Sequence, residues 1–103
     1  MMTKGKIMWL AGYLEGEGSF TYKCYSQRIG LQTTDADVIL KVARMMGGNV
    51  GGPLMRAKRR QPIYYMQIYG PNARKWMRLI RPYMGLRRRE QINAALDKRG
   101  RVR

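Results

Sequence analysis

Glycine and proline residues divide this sequence into short segments, which limits every helix and strand to a modest length. Apolar residues at helical spacing follow Thr3, which we expect to cap the first helix, and they end at Gly16 and Gly18. Alternating aromatic and β-branched residues then predict two strands, at residues 19–25 and 28–33. The chain therefore opens with a helix followed by a β-hairpin.

The next segments repeat the pair of strands. Thr34 or Asp35 predicts the start of a second helix, with Asp35 best explained as its cap, and Gly47 predicts its end. Residues 49–57 and 63–69 then predict two further strands. A helix between two strand pairs is typical of a domain that mixes helices with an antiparallel sheet.

Two helices complete the predicted order. Pro71 suits the first turn of a third helix, Pro82 ends that helix, and a last helix runs from residue 87 to about residue 98. The order αββαββα, with an extra terminal helix, predicts an α+β fold in which helices cover one face of a four-stranded antiparallel sheet. We expect one domain over residues 1–103, in which residues 100–103 form a loose basic tail.

The charge of the chain restricts its partners. Its 103 residues include 21 Lys and Arg against 6 Asp and Glu, so the formal net charge is +15. Such a charge opposes compaction unless a polyanion neutralises it; nucleic acid is the commonest such partner, and an anionic membrane is the weaker alternative. Residues 56–103 carry fifteen of the basic residues and only two acids, so the expected electrostatic footprint lies in the second half.

The composition also excludes several kinds of chemistry. With no histidine and one cysteine, the chain lacks Ser-His-Asp triads, Cys-His dyads, the usual zinc sites and an internal disulfide. Any hydrolysis must use carboxylates. The longest stretch without charge, residues 61–73, contains two prolines and is too short to span a bilayer. Without a signal peptide, we expect a cytoplasmic protein of a bacterial or phage-infected cell, with an organelle as the open alternative, and with no membrane association and no small-molecule cofactor.

Alternation along the strands separates core positions from outward ones. Cys24 falls on the buried side of the first strand, and Trp9 and Trp76 are expected in the core because they lie on apolar helix faces. Polar and aromatic side chains on the other sheet face suit a DNA groove, although an ordinary solvated face fits any single strand equally well. The predicted DNA-binding residues are Ser19, Thr21, Lys23, Tyr25, Arg28, Arg56, Lys58, Arg60, Tyr65, Gln67, Arg88 and Arg89.

Residues 9–20 read WLAGYLEGEGSF and form the most distinctive segment. Their small side chains leave one helix surface without bulk, so a second helix can approach closely. Because no internal repeat supplies that helix, we expect a two-fold homodimer in which the segment meets its own copy. The predicted interface comprises Leu10, Ala11, Gly12, Leu14 and Glu15.

The exit turn of this helix carries two acids among glycines. In a dimer, Glu17 would lie near its symmetry mate and form a pair of carboxylates within a strongly positive surface. Carboxylates are hard oxygen ligands for Mg²⁺, which keeps several waters and completes its shell with substrate phosphate oxygens. The less favoured alternative is a Glu17 that is merely solvated in a glycine-rich turn.

The segment resembles the signature helix and turn of the LAGLIDADG homing endonucleases. The matching residues are Leu10, Ala11, Gly12, Leu14, Gly16 and Gly18. Residues 34–38, TDADV, and residues 81–85, RPYMG, are similar to phrases in very small phage-borne members. The resemblance implies the fold of that family and site-specific cleavage of double-stranded DNA by a homodimer at a pseudo-palindromic site. It also implies Mg²⁺ as cofactor, Mn²⁺ as a substitute, and Ca²⁺ as an ion that occupies the site without turnover.

The resemblance further implies roles for individual residues. Glu17 matches the metal-binding acid and Glu15 the preceding acid, which is structural or lies in the interface; the family more often has Asp at both positions. Arg87 matches a basic residue that is usually Lys, and Gln32 falls near a polar residue at the end of the second strand. The implied catalytic residues are Glu17, Gln32 and Arg87.

Two other functions remain open at this stage. A non-catalytic DNA-binding regulator or an RNA-binding intron maturase on the same fold needs the same basic surface. A ribosome-associated basic protein would explain the charge but not the turn that carries Glu15 and Glu17.

Overall fold

A computed structural model describes residues 2–54 and 61–98. Its elements are α1 (Lys4–Glu17), β1 (Gly18–Lys23), β2 (Ser26–Thr33), α2 (Ala36–Met46), β3 (Val50–Leu54), β4 (Ile63–Tyr69), α3 (Gly70–Ile80), a 3₁₀ turn (Arg81–Tyr83) and α4 (Leu86–Asp97). This order confirms the predicted α+β arrangement. The predictions for Arg56, Lys58, Arg60 and the tail at residues 100–103 lie outside the described residues.

The four strands form one antiparallel sheet in the order β1-β2-β4-β3. In the central pair, Arg28 lies opposite Tyr69 and Gln32 lies opposite Tyr65. Helix α3 packs on β2 and β4, and α4 packs on β1, so the helices cover one face of the sheet as expected. The other face is left for solvent or a partner.

The core lies between the sheet and the helices. Each fully buried apolar side chain stabilises the fold by about 1.5–3 kcal/mol relative to exposure. Trp76 is buried as expected, and its indole N–H donates to the carbonyl oxygen of Met46 at 3.2 Å. The largest fully buried apolar side chains are Leu10, Leu14, Ile29, Ile39, Met46, Met66, Met77, Ile80 and Ile92.

A buried amide attaches the last helix to the sheet. Gln27 Nε2 donates to the carbonyl oxygens of Ala95 at 3.0 Å and Lys98 at 2.8 Å, and its Oε1 accepts a hydrogen bond from Arg74 at 3.0 Å. Because a buried amide without partners would cost stability, these three bonds fix where α4 ends against β2.

The helices begin and end near the predicted cap residues, but not every cap forms the expected hydrogen bond. Thr3 caps α1 as predicted, because its hydroxyl accepts the Lys6 N–H at 3.2 Å. Gly47 ends α2 in the left-handed region, with φ of 76°. Asp35 is the N-cap of α2, but its side chain makes no capping hydrogen bond; its own N–H donates to Thr33 Oγ1 at 3.1 Å.

Two expectations about the core are wrong. Strand β1 ends at Lys23, because Cys24 and Tyr25 adopt φ of 53° and 63° and form the turn to β2. These left-handed residues leave the strand alternation, so Cys24 is exposed and Tyr25 does not belong to the outward sheet face. Trp9 is 40% exposed rather than buried.

No helix in the described part of the chain has the length and apolar character needed to cross a membrane.

Candidate nucleic-acid interface and active site

The face of the sheet that the helices leave uncovered is termed the outward sheet face. Antiparallel partners lie side by side, so its residues form rows across the strands. The rows are Thr21, Arg28 and Tyr69; then Ser19, Gly30 and Gln67; then Gln32, Tyr65 and Gly51. Successive rows are about 7 Å apart, since each advances two residues along a strand. Hydrogen-bonding groups therefore occur at regular intervals across this face.

Two glycines shape the outward sheet face. A Cβ at Gly51 would overlap the Tyr65 ring, so only glycine lets that ring lie across β3. A Cβ at Gly30 would lie 2.9 Å from Ser19 Oγ. The middle row therefore has no side chain between Ser19 and Gln67, and the backbone of Gly30 forms a shallow depression there.

An open cavity of about 470 Å³ lies where α1 meets the outward sheet face. The structure brings Glu17 and Gln32, two of the three predicted catalytic residues, into its lining, and Arg87 is not part of that lining. The lining side chains that can form hydrogen bonds are Glu17, Ser19, Gln32, Tyr65 and Gln67.

Gly18 brings Glu17 to this cavity. Helix α1 ends at Glu17 and β1 begins at the next residue, with the Gly18 N–H bonded to the Leu14 carbonyl oxygen. A Cβ at Gly18 would lie 3.0 Å from both that oxygen and the Leu14 side chain. Glycine therefore permits the abrupt change from helix to strand that places Glu17 at the edge of the sheet.

The two acids of the exit turn have different surroundings. Glu15 Oε1 accepts the Gly85 N–H at 2.8 Å, and Gly85 is the N-cap of α4, so this carboxylate lies at the positive end of that helix. Glu17 is exposed and forms no hydrogen bond or ion pair with any residue in 2–54 or 61–98. Glu15 thus stabilises its own protomer, while Glu17 keeps its oxygens free for a ligand.

Arg88 is also held within the protomer. Its Nε donates to the Glu15 carbonyl oxygen at 2.8 Å, and a terminal amine donates to Gln91 Oε1 at 2.8 Å. These two bonds tie part of the guanidinium to the C-terminal end of α1, and a contact between Arg88 and DNA phosphates stays a prediction. Its neighbours Arg87 and Arg89 are exposed.

The residues predicted to form the dimer interface divide between two faces of α1. Leu10, Ala11 and Leu14 are fully buried in the protomer's own core, so the prediction that they contact a second copy does not hold. Gly12 and Gly16 are exposed, with open space where a Cβ would lie. We term the exposed surface the outer face of α1, formed by Met8, Trp9, Gly12 and Gly16.

Trp9 lies between two neighbours on this side of the molecule. Its ring stacks on Tyr13 with centroids 5.7 Å apart and planes inclined by 1°. The ammonium group of Lys41 lies 4.0 Å from the centroid of Trp9. Stacking and a cation–π contact therefore hold the exposed indole in place.

Tyr13 links this aromatic pair to the charge of the cavity. Burial raises the pKa of the Tyr13 hydroxyl, and the negative charges of Glu17 and Asp35 raise it further, whereas a hydrogen bond with the Thr33 side chain lowers it. Burial is the largest of these effects. The phenol stays neutral to a higher pH than an ordinary tyrosine.

Sequence reasoning missed Tyr69. The Arg28 guanidinium carbon lies 4.9 Å from the centroid of its ring, and its hydroxyl donates to Gln67 Oε1 at 2.6 Å. The available signal was its spacing: Tyr69 follows Tyr65 and Gln67 at period two and therefore shares their face.

Two solved structures share the fold of this chain. The homing endonuclease I-CvuI, in complex with the I-CreI target in the presence of Mg and with the DNA not cleaved, aligns with a TM-score of 0.66 and 18% identity over 90% of this chain. I-CvuI with its own target in the presence of Ca aligns with a TM-score of 0.60 and 16% identity over 88% of this chain. The chain has the homing-endonuclease fold. It spans 65% and 64% of those two chains, and no family model or curated protein sequence matches it.

The homing-endonuclease fold of this chain offers few ligands for a metal within one protomer. Among residues 2–54 and 61–98, no three His, Cys, Asp or Glu side chains form a cluster. The cavity has one carboxylate, from Glu17, and the amide oxygen of Gln32. Mg²⁺ needs only one or two carboxylates and takes its other ligands from water and phosphate. The donor set therefore fits a magnesium ion shared with a nucleic-acid substrate.

Proposed function

We propose that this chain is one half of a homodimeric, magnesium-dependent endonuclease that cuts double-stranded DNA at a specific pseudo-palindromic site. The observation that carries the proposal is the exposed carboxylate of Glu17, which has no partner among the described residues and lines a cavity on the outward sheet face. In a chain of net charge +15, a carboxylate that has no ion-pair partner among the described residues is suited to hold a metal ion against a phosphate.

The outer face of α1 supports the dimer. Gly12 and Gly16 lie four residues apart on one side of the helix, so two copies of the backbone can approach each other there. Met8 and Trp9, both at least 40% exposed, provide apolar area for the same contact. A two-fold axis through this face would bring two Glu17 carboxylates together at the centre of the DNA-binding surface.

Each catalytic residue would have a separate task. When bound, Mg²⁺ activates a water for attack on phosphorus and stabilises the leaving 3′ oxygen. Glu17 of each protomer holds the metal, and Gln32, on the same cavity wall, orients the attacking water through its amide. Arg87, exposed at the start of α4, compensates the negative charge that develops on the phosphate. The water oxygen would form a new bond to phosphorus and lose a proton to solvent as the P–O3′ bond breaks, and the 3′ oxygen would take up a proton from solvent, which leaves a 5′-phosphate and a 3′-hydroxyl.

A cleavage assay with a matched pair of variants tests the proposal. Glu17→Gln and Glu90→Gln each remove one exposed negative charge, but only Glu17 lines the cavity. With DNA that flanks the chain's own gene, the wild type should make one discrete double-strand cut in Mg²⁺. Glu17→Gln should bind this DNA and lose at least about a thousand-fold in cleavage rate. Glu90→Gln should cleave normally.

Two results would contradict the proposal. Undiminished cleavage by Glu17→Gln would remove this residue from the site. Tight, sequence-specific binding without cleavage by the wild type, in either Mg²⁺ or Mn²⁺, would favour a non-catalytic regulator.

A further inference from the structure

A small network on the outward sheet face runs from Gln67, which lines the cavity, to Arg28 and Tyr69, which lie outside it. The guanidinium of Arg28 lies over the ring of Tyr69, its direct partner across the β2–β4 pair, with its central carbon 4.9 Å from the ring centroid. The Nε of Arg28 is buried and has no hydrogen-bond partner among residues 2–54 and 61–98. Packing therefore fixes the plane of the guanidinium and leaves its two terminal amines as the part that a ligand can reach.

Tyr69 also fixes Gln67. Because the Tyr69 hydroxyl donates to Gln67 Oε1 at 2.6 Å, the amide oxygen is engaged and the amide nitrogen is left with two N–H donors. Gln67 is exposed on the neighbouring row. One tyrosine thus determines the plane of a guanidinium and the hydrogen-bond polarity of an amide.

The backbone at Tyr69 is well suited to this task. Tyr69 is the last residue of β4 and the N-cap of α3, so both a strand and a helix fix its position. Its ring face is engaged by Arg28 and its hydroxyl by Gln67, although the side chain is 51% exposed. Tyr69 is therefore a positioning residue, and the groups left for a ligand belong to its neighbours.

We propose that Tyr69 holds Arg28 and Gln67 in position to read adjacent base pairs in the major groove, with Arg28 selecting guanine. This inference rests on the proposed function, in which the outward sheet face binds DNA. The two amines of a planar guanidinium match the N7 and O6 acceptors of guanine, and no other base presents two acceptors in that arrangement. The donors of Gln67 require an acceptor on the neighbouring base pair, such as thymine O4 or guanine O6.

Arg28 and Tyr69 lie apart from the proposed catalytic residues, whereas Gln67 lines the cavity that contains them. Arg28 and Gln32 are four residues apart on β2, which corresponds to about 13 Å along the strand. Neither Arg28 nor Tyr69 lines the cavity that contains Glu17. Substitutions at these two positions should therefore act on which DNA is bound.

Binding selection from a library of random-sequence duplexes tests the inference. The full-length protein is used without divalent cations, so that nothing is cut, and the bound duplexes are sequenced. Arg28→Lys keeps the charge but cannot form the planar two-point contact, so the preference for guanine should fall about ten-fold. Tyr69→Phe keeps the ring and should retain the guanine preference, but it should lose several-fold in preference at the adjacent base pair.

Two further variants complete the test. Tyr69→Leu removes both the ring and the hydroxyl, so both preferences should weaken. Tyr83→Phe removes the hydroxyl of another exposed tyrosine, away from the sheet, and should give the wild-type profile.

The outcomes separate this inference from the proposed function. If the wild type selects a defined site and both Arg28→Lys and Tyr69→Phe select it unchanged, DNA recognition stands, Arg28 contacts phosphate or solvent, and the inference is wrong. If the wild type enriches no duplex, the proposed function fails and the inference fails with it. The inference is supported if Arg28→Lys loses the preference for guanine and Tyr69→Phe loses only the preference at the adjacent base pair.

Discussion

The inner face of α1 buries Leu10 and Leu14 completely, whereas its outer face leaves Gly12 and Gly16 exposed beside open space. The exit turn continues this division, since one acid is bonded within the protomer and the next is not. The comparison teaches that a single helix can bury one side in the core of its own chain and leave the other side open to solvent. One step along the helix, a turn of about 100°, separates the exposed Trp9 from the buried Leu10.

The largest effect is expected on the inner face. Leu14→Ala should lower the free energy of unfolding by about 2–5 kcal/mol, because it leaves a cavity in the core. Met8→Ala, a matched truncation on the outer face, should cost less than about 0.5 kcal/mol. Urea denaturation of both variants measures the difference, and equal losses would break the distinction between the faces.

A bulky residue on the outer face should act on association instead. Gly12→Leu meets no atoms within the protomer, and leucine favours a helix over glycine by roughly 0.8 kcal/mol, so the protomer should become slightly more stable. The same side chain would separate two helices packed at this surface. Sedimentation velocity should show a monomer, and a dimer of unchanged affinity would exclude Gly12 from the interface.

Substitution of the two acids should also affect stability differently, by a smaller amount than substitution of the core leucine. Glu15→Gln weakens a charged contact with the N-terminus of α4 and should cost about 0.5–1 kcal/mol. Glu17→Gln breaks no contact within the described residues and should leave stability unchanged. Thermal unfolding distinguishes the two, and a loss at Glu17 as large as that at Glu15 would show that both acids are structural.

The smallest effect is an alkaline one at Tyr13. Because its pKa is raised in the folded state, the native phenol retains a proton that the unfolded phenol has lost. Its contribution to stability is therefore complete below about pH 10 and is lost as the pH rises through the native pKa. Tyr13→Phe should reduce this alkaline loss, as measured by denaturation at several pH values. Glu17→Gln should bring the pKa of Tyr13 closer to that of an ordinary tyrosine. A pKa that does not change would show that the charge of Glu17 does not act on Tyr13.

Much of the fold could be predicted because glycine and proline mark where elements end. Gly18, Gly47 and Pro71 act through local backbone geometry, which the sequence shows directly. The burial of Cys24 was predicted wrongly because no glycine or proline marks the turn there. Strand alternation gives no sign that Cys24 and Tyr25 are two successive left-handed residues.

The orientation of α1 could not be predicted from its own residues. Trp9 and Leu10 are both apolar and lie on different sides of the helix, so periodicity does not indicate which side meets the core. The neighbours that decide this come from later in the chain. The role of Arg88 was missed for a similar reason, because it bonds to a carbonyl oxygen 73 residues earlier. The end of α1 at Glu17 could be predicted because the glycines that mark it are local in the sequence.

The exposure of Trp9 gives the protein an optical property. The chain has two tryptophans: Trp76 is buried, and Trp9 is exposed between Tyr13 and Lys41. An indole in contact with water emits at longer wavelength than one surrounded by apolar groups, so the fluorescence of the two residues separates by colour. If the outer face of α1 is covered by a second copy, the emission of Trp9 moves to shorter wavelength while that of Trp76 stays constant. Self-association can therefore be followed by dilution in the unlabelled protein, with Trp76 as the internal reference.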